Sequence, residues 1–229
     1  MQDKFSYYDF IANIIPATFL WWGLTLLPFV DSSRIINAQS EMERLAILVV
    51  VVYVLGLAIQ FLSKNIIEWF MKRIFWRGRF YSEICWIELY GKIQGGSRSS
   101  LLRNIGKIFG YTEEELSVLD VNIDEPEEIK AATELSQDIY FKADAYTQAN
   151  GLAIKAHTQS SFYSLFRGLS FVCLVLMIVF GITFFARPEF QEIHNISLFV
   201  AFFFLFIFFI LRAKERLERY IEGIFYSLL

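Results

Sequence analysis

The sequence predicts an all-α polytopic membrane protein, with four transmembrane helices and a helical cytosolic domain that includes a long stalk helix. Three observations carry that prediction. Four windows, 10–30, 45–62, 168–186 and 195–211, contain no Asp, Glu, Lys or Arg, and each is close to the length that crosses a hydrocarbon core. Hydrophobic residues make up 55% of the 229 positions and aromatic residues 18%, more apolar surface than a soluble domain of this size carries. Residues 126–186 read as one helical run, polar for its first two thirds and apolar at its end. At about 1.5 Å per residue, a run that long reaches roughly 90 Å if straight, so most of it stands outside a bilayer.

The first span, 10–30, holds Pro16 and Pro28, and a kink is expected near Pro16. Asn13, Thr18 and Thr25 are its polar side chains. Thr18 and Thr25, seven residues apart, share a helix face and form the expected lining if oligomers open a polar path. Asn13 points elsewhere and is expected to face a neighbouring helix. The second span, 45–62, carries Gly56 and Gln60, and Gln60 is placed near the headgroups.

Lys and Arg residues gather after the second span and again after the fourth (Arg212, Lys214, Arg216 and Arg219), whereas the two opposite loops hold only Arg34, Arg44 and Arg187. Basic residues mark the cytoplasmic side. Both termini and the middle of the chain are therefore expected in the cytoplasm, with the protein in the cell inner membrane.

Residues 64–80 interleave basic and apolar positions and predict an interfacial amphipathic helix, with Lys72, Arg73, Trp76, Arg77 and Arg79 at the lipid interface. Nucleic-acid binding is the rival reading, disfavoured because the segment follows a span directly. Residues 81–93 are read as helix. Gly95, Gly96, Ser97 and Arg98 then form a Gly/Ser loop that opens a basic helix and could present N–H groups and a guanidinium to an anion; the Gly-Lys-Ser/Thr ending of a phosphate loop is missing.

Thr112 and Glu115 form a capping box that starts a helix. From 111 to 128 there are eight acidic residues and no basic one, after nine basic and three acidic residues in 64–110, so the middle domain is electrically two-faced: either the opposed charge blocks fold onto each other or the acidic block pushes the stalk away from the membrane. Pro126 begins the stalk, with carboxylates at the positive end of its dipole. A stripe of small and apolar residues from Ala132 runs through Ala149, Ala153 and Ala156, the expected oligomer contact or a seam against the chain's own helices. Gly151 and Gly168 are its expected bends. The tail, 213–229, continues the fourth span as a helix.

Chemistry is sparse. Cys85 and Cys173 are separated between cytosol and bilayer, His157 has no ligand-forming neighbour, and no hydrolase triad, phosphate loop or zinc site is readable. The expectation is no catalytic residue, no metal, no cofactor and no enzymatic activity. The organisation reads as a transmembrane hairpin (1–63), an interfacial helix (64–80), a cytosolic helical domain with stalk (81–165), a second hairpin (166–212) and a C-terminal helix (213–229). Because the spans hold no buried charge and no repeat, a transporter is disfavoured.

With its size, four spans, helical middle and the N-terminal YYDFIANIIPATFL, the chain resembles the small four-span membrane proteins encoded with prokaryotic antiviral defence systems, such as CRISPR-associated membrane accessory proteins and the membrane subunit of Kiwa-type systems. That resemblance implies a homo-oligomer that perturbs the membrane or relays infection to a cytosolic protein partner. Membrane lipids are the other expected partner, and nucleic acid is not expected to bind the chain alone. The alternative is a structural or regulatory scaffold subunit without pore activity.

Overall fold

The computed structural model describes residues 7–27, 40–76, 78–79, 81–82, 95–119, 126–152, 154–186 and 193–229. Among these, every regular element is an α-helix: α1 (Tyr7–Thr25), α2 (Glu41–Phe75), α3 (Gly95–Phe109), α4 (Glu113–Ser117), α5 (Pro126–Asn150), α6 (Ile154–Ala186) and α7 (Ile193–Tyr226). The all-α expectation holds. Three of them, α2, α6 and α7, are long and apolar enough to cross a membrane; the apolar part of α1, Phe10–Thr25, is shorter.

The chain divides into two compact units, residues 1–70 with 161–214 and residues 71–160 with 215–229. The first contains the apolar helices. Pro16 lies against Gly168 and Gly23 against Leu176, so an advance of seven residues on α1 matches eight on α6 and the two run parallel. α7 runs antiparallel to α6, since Phe166 stacks on Phe209 and Phe180 meets Phe202. Phe202 also meets Phe19 of α1 edge-on. Along α2, Val50, Val54, Leu57 and Phe61 are exposed, as are Phe203, Phe204 and Phe208 of α7; these apolar faces suit lipid, whereas Ala17, Val172, Cys173 and Leu176 are wholly buried.

Glycine sets how closely the helices approach. A Cβ on Gly56 would stand 2.4 Å from the Asn13 carbonyl oxygen, and one on Gly168 would stand 2.9 Å from Gln60 Nε2 and 3.0 Å from Pro16 Cγ. Gly168 was expected as a bend; it sits inside continuous α6 and serves as a contact point instead.

In the second unit, the core joins Trp76, Tyr81, Ile139, Ile224 and Phe225, all 2% exposed or less. Trp76 Nε1 donates to Glu218 at 3.3 Å and Tyr81 Oη to Glu222 at 2.8 Å, while Tyr140 of α5 packs against Phe225 of the tail. Asn104 of α3 donates to the Leu228 carbonyl at 2.8 Å. The tail is thus a core element of this unit.

The single stalk is corrected to two helices. Gly151 takes φ +65°, its N–H bonds the Gln148 carbonyl, and Leu152 N–H bonds Thr147. This is the paired-bond glycine terminator that ends a helix in the left-handed region, so Gly151 stops α5 rather than bending it. The start at Pro126 is as expected, and the α4 capping box is complete: Thr112 Oγ1 accepts from Glu115 N–H at 3.2 Å and the Glu115 carboxylate accepts from Thr112 N–H at 2.8 Å.

Two further corrections concern local form. The interfacial helix of 64–80 is not a separate element, because α2 continues unbroken to Phe75; Ile67 and Met71, two apolar positions of that segment, are fully buried in protein. The Gly/Ser loop is absorbed into α3, whose first turn begins at Gly95. Glycine is cheapest at a helix start, where N–H groups lack helical acceptors in any case.

Candidate functional site: a buried polar cluster

Proline at position 16 deletes one backbone donor, and the carbonyl it orphans is that of residue i−4, Ala12. Inside an apolar bundle that oxygen needs a new donor. Gln60 of α2 supplies it, with Nε2 2.8 Å from Ala12 O and 3.2 Å from Ser164 O of α6. One amide thus ties three helices together.

The other end of the same amide is also used. Gln60 Oε1 accepts from Arg167 Nη2 at 3.1 Å, Arg167 Nη1 forms an ion pair with Glu68 Oε1, and Tyr163 Oη donates to that carboxylate at 2.9 Å. The guanidinium lies over the Tyr163 ring, 5.1 Å from its centroid. The side chains of Arg167 and Glu68 are only 9% and 15% exposed, and Arg167 Nε is buried without a hydrogen bond. All these groups sit at one end of the first unit, where α1 starts, α2 leaves its apolar stretch and α6 enters its own.

A buried ion pair gains little net stability, since desolvation offsets attraction, but removing one partner strands a charge and is severe. The cluster therefore behaves as a latch: stable when complete, costly when half broken. It corrects two expectations. Gln60 is a junction between helices, not a headgroup contact, and buried charge does exist at the span ends: Arg167 directly before the 168–186 window and Glu68 six residues past the 45–62 window.

Of the expected site residues, Trp76 is overturned as a lipid anchor, being 2% exposed and bonded to Glu218 within the second unit. Arg79 bonds the Thr133 hydroxyl at 3.3 Å, Lys72 is half-buried and Arg73 is exposed; Arg77 lies outside the described residues. Trp69 and Ile74 of α2 are exposed instead. For the oligomer stripe, Ala156 is 5% exposed and lies against Gly223 of the same chain, whose added Cβ would stand 3.0 Å away; that contact is internal. Ala149 is exposed and Ala153 lies outside the described residues. Gly95, Gly96, Ser97 and Arg98 belong to the first turn of α3. Thr18 is exposed, while the Thr25 hydroxyl donates to the Trp22 carbonyl at 2.7 Å. Asn13 is buried at 8% exposure. His157 is half-buried against Tyr220, with its Nε2 unbonded among the described residues. Cys85 and the 83–93 segment lie outside the described residues, and no cluster of metal-ligating side chains occurs among the described ones.

The second unit carries its own tie between the α3–α4 junction and α5. Tyr111 Oη donates to Asp138, Lys142 Nζ stands 2.8 Å from both the Tyr111 hydroxyl and the Asp138 carboxylate, and the ammonium lies over the Tyr111 ring. The Lys142 bond, then the Tyr111 bond, lowers the Asp138 pKa below its usual 3.8. The same bonds raise Lys142 above 10.5, and burial followed by the Asp138 bond raises Tyr111 above 10.0. A depressed acid contributes stability above its unfolded pKa and loses it as pH falls through the folded one; a raised base or phenol contributes below its unfolded pKa and loses it as pH rises. The tie is therefore complete from about pH 4 to pH 10. Thermal melts at pH 7 and pH 3 should show an acid-limb loss that is smaller in Asp138→Asn, by no more than about 1 kcal/mol because the pair is exposed. An identical acid limb in Asp138→Asn would place the loss elsewhere.

Neither the family models nor the curated proteins nor the solved structures compared with the chain match it.

Proposed function

We propose that this chain is a non-enzymatic, multi-pass protein of the cell inner membrane that converts a cytosolic signal or the binding of a cytosolic protein into a change in the membrane. In this reading α1 crosses the membrane as well as α2, α6 and α7, both termini and the middle of the chain are cytoplasmic, and the working form is a homo-oligomer, as in the antiviral-defence membrane proteins whose layout it resembles. The observation that carries it is the Gln60–Arg167–Glu68–Tyr163 cluster. An ionisable pair buried at a span end is expensive and points to function rather than to packing, and this one holds three helices where the chain leaves its apolar part.

Parallel α1 and α6 support the topology, since helices entering from one side run the same way. Exposed Thr18 supports the oligomer, because a hydroxyl on the outside of an apolar helix suits a neighbouring subunit or a polar path better than lipid. Glu68→Gln, which weakens the latch while keeping its shape, should raise dye entry into expressing cells without any stimulus. Adding Thr18→Val and Thr25→Val should remove that entry while leaving particle size unchanged. No entry from Glu68→Gln, or full entry from the triple variant, would favour the scaffold alternative.

A further inference from the structure

In the second unit, α3 and α4 flank an open cleft of about 590 Å³, inside the size range of small-molecule sites. Gly106 makes it: a Cβ there would stand 3.0 Å from the Tyr111 carbonyl oxygen, so a larger residue would push the two elements apart. Gly110, at φ +78°, turns the chain back over it. Leu102 and buried Leu116 form an apolar floor. Arg103 and Lys107, one turn apart on α3, stand along one wall, and Glu113 stands on the opposite one.

Both cations are exposed, and neither has a hydrogen-bond or ion-pair partner among the described residues. Like charges four apart repel on a helix, and Glu113 lies across the same cleft without closing a bridge to either. Two cations without a partner among the described residues, beside an apolar floor and with Glu113 opposite, fit a ligand that is anionic at one end, flat and apolar in the middle, and carries donors at the other. Tyr111, held by Asp138 and Lys142, fixes one edge of the cleft.

We propose that this cleft binds a soluble phosphate monoester of nucleotide size, with the phosphate on Arg103 and Lys107 and a hydroxyl or amino donor facing Glu113. Arg and Lys at helical spacing can grip a phosphate from two sides, and Leu102 and Leu116 cover a ring face. A lipid phosphate shares the headgroup chemistry; Glu113 across from the two cations favours a ligand with a donor at its far end over an acyl chain, and the vesicle arm of the test separates the two sources. The inference is independent of the latch, because binding is read on purified protein without any membrane response.

The test is calorimetric titration of the full-length protein in detergent with AMP, inorganic phosphate and adenosine, beside flotation with phosphatidic acid vesicles. AMP should bind saturably and more tightly than either fragment. Arg103→Gln with Lys107→Gln should weaken AMP at least tenfold without changing the helical spectrum or elution volume. The charge-preserving pair Arg103→Lys with Lys107→Arg should stay within threefold of the parent. Absence of saturable AMP binding, equal AMP binding by the Gln pair, loss of binding in the charge-preserving pair, or binding to vesicles alone would overturn the proposal.

Discussion

Arg167→Met should destabilise the purified protein by about 3–5 kcal/mol, the range for removing one member of a buried ion pair. Three contacts end on that guanidinium: Glu68, Gln60 and the Tyr163 ring. Met fills the volume but leaves the Glu68 carboxylate, 15% exposed, with only the Tyr163 hydroxyl. It also leaves Gln60 Oε1 without its donor. Glu68→Gln in the same chain should recover much of the loss, since a neutral amide is far less costly to bury than a bare charge. Thermal melts of both single variants and the pair form a cycle whose coupling should exceed 1 kcal/mol, beyond the few tenths typical of independent sites. Additive losses would mean that the pair is not a unit.

Gly56→Ala is expected to have the second largest effect. Its new Cβ would fall 2.4 Å from Asn13 O and 2.8 Å from Asn13 C, and a backbone cannot turn aside as a side chain can. α1 would have to move away from α2, drawing Ala12 O away from Gln60. Overpacking of about 1–3 kcal/mol is usual, and a backbone obstacle puts this case at the upper end. Gly181→Ala is the matched comparison, because its nearest neighbour is Phe199 at 3.6 Å, an ordinary contact. It should be neutral or slightly stabilising, as the helix itself prefers Ala by about 1 kcal/mol. Equal melting temperatures for the two variants would contradict the close approach of α1 and α2.

What could be read from the sequence was what composition and local chemistry decide. The apolar windows announced α2, α6 and α7, the Thr112–Glu115 pair announced α4, and Pro126 announced α5. What covers a helix face was not legible: Trp76 and Met71 follow the same periodicity whether lipid or protein lies opposite, and it is protein. Gly151 was visible as an interruption, but bend and stop differ only in the sign of φ.

The polar cluster escaped because its α2 half, Gln60 and Glu68, and its α6 half, Tyr163 and Arg167, lie 95 to 107 residues apart wherever they bond, and of these four only Gln60 falls within an uncharged window. Signals for it did exist. Pro16 orphans a carbonyl that lipid cannot satisfy, and Gln60 is the lone side-chain amide of 45–62. Glu68 is the single acid in 64–80, and Arg167 is the single Asp, Glu, Lys or Arg in 156–186. A lone acid at one span end and a lone base at another are a matched pair whenever their helices meet. Sequence alone does not say that they do.

In the proposed topology four helices cross the membrane and bring the latch to the cytoplasmic side. Reporter fusions placed after Asn37, Asp124 and Gln191 test it most directly. External signals after Asn37 and Gln191 with a cytoplasmic signal after Asp124 are the predicted result, and a cytoplasmic signal after Asn37 would remove α1 as a span and contradict the account.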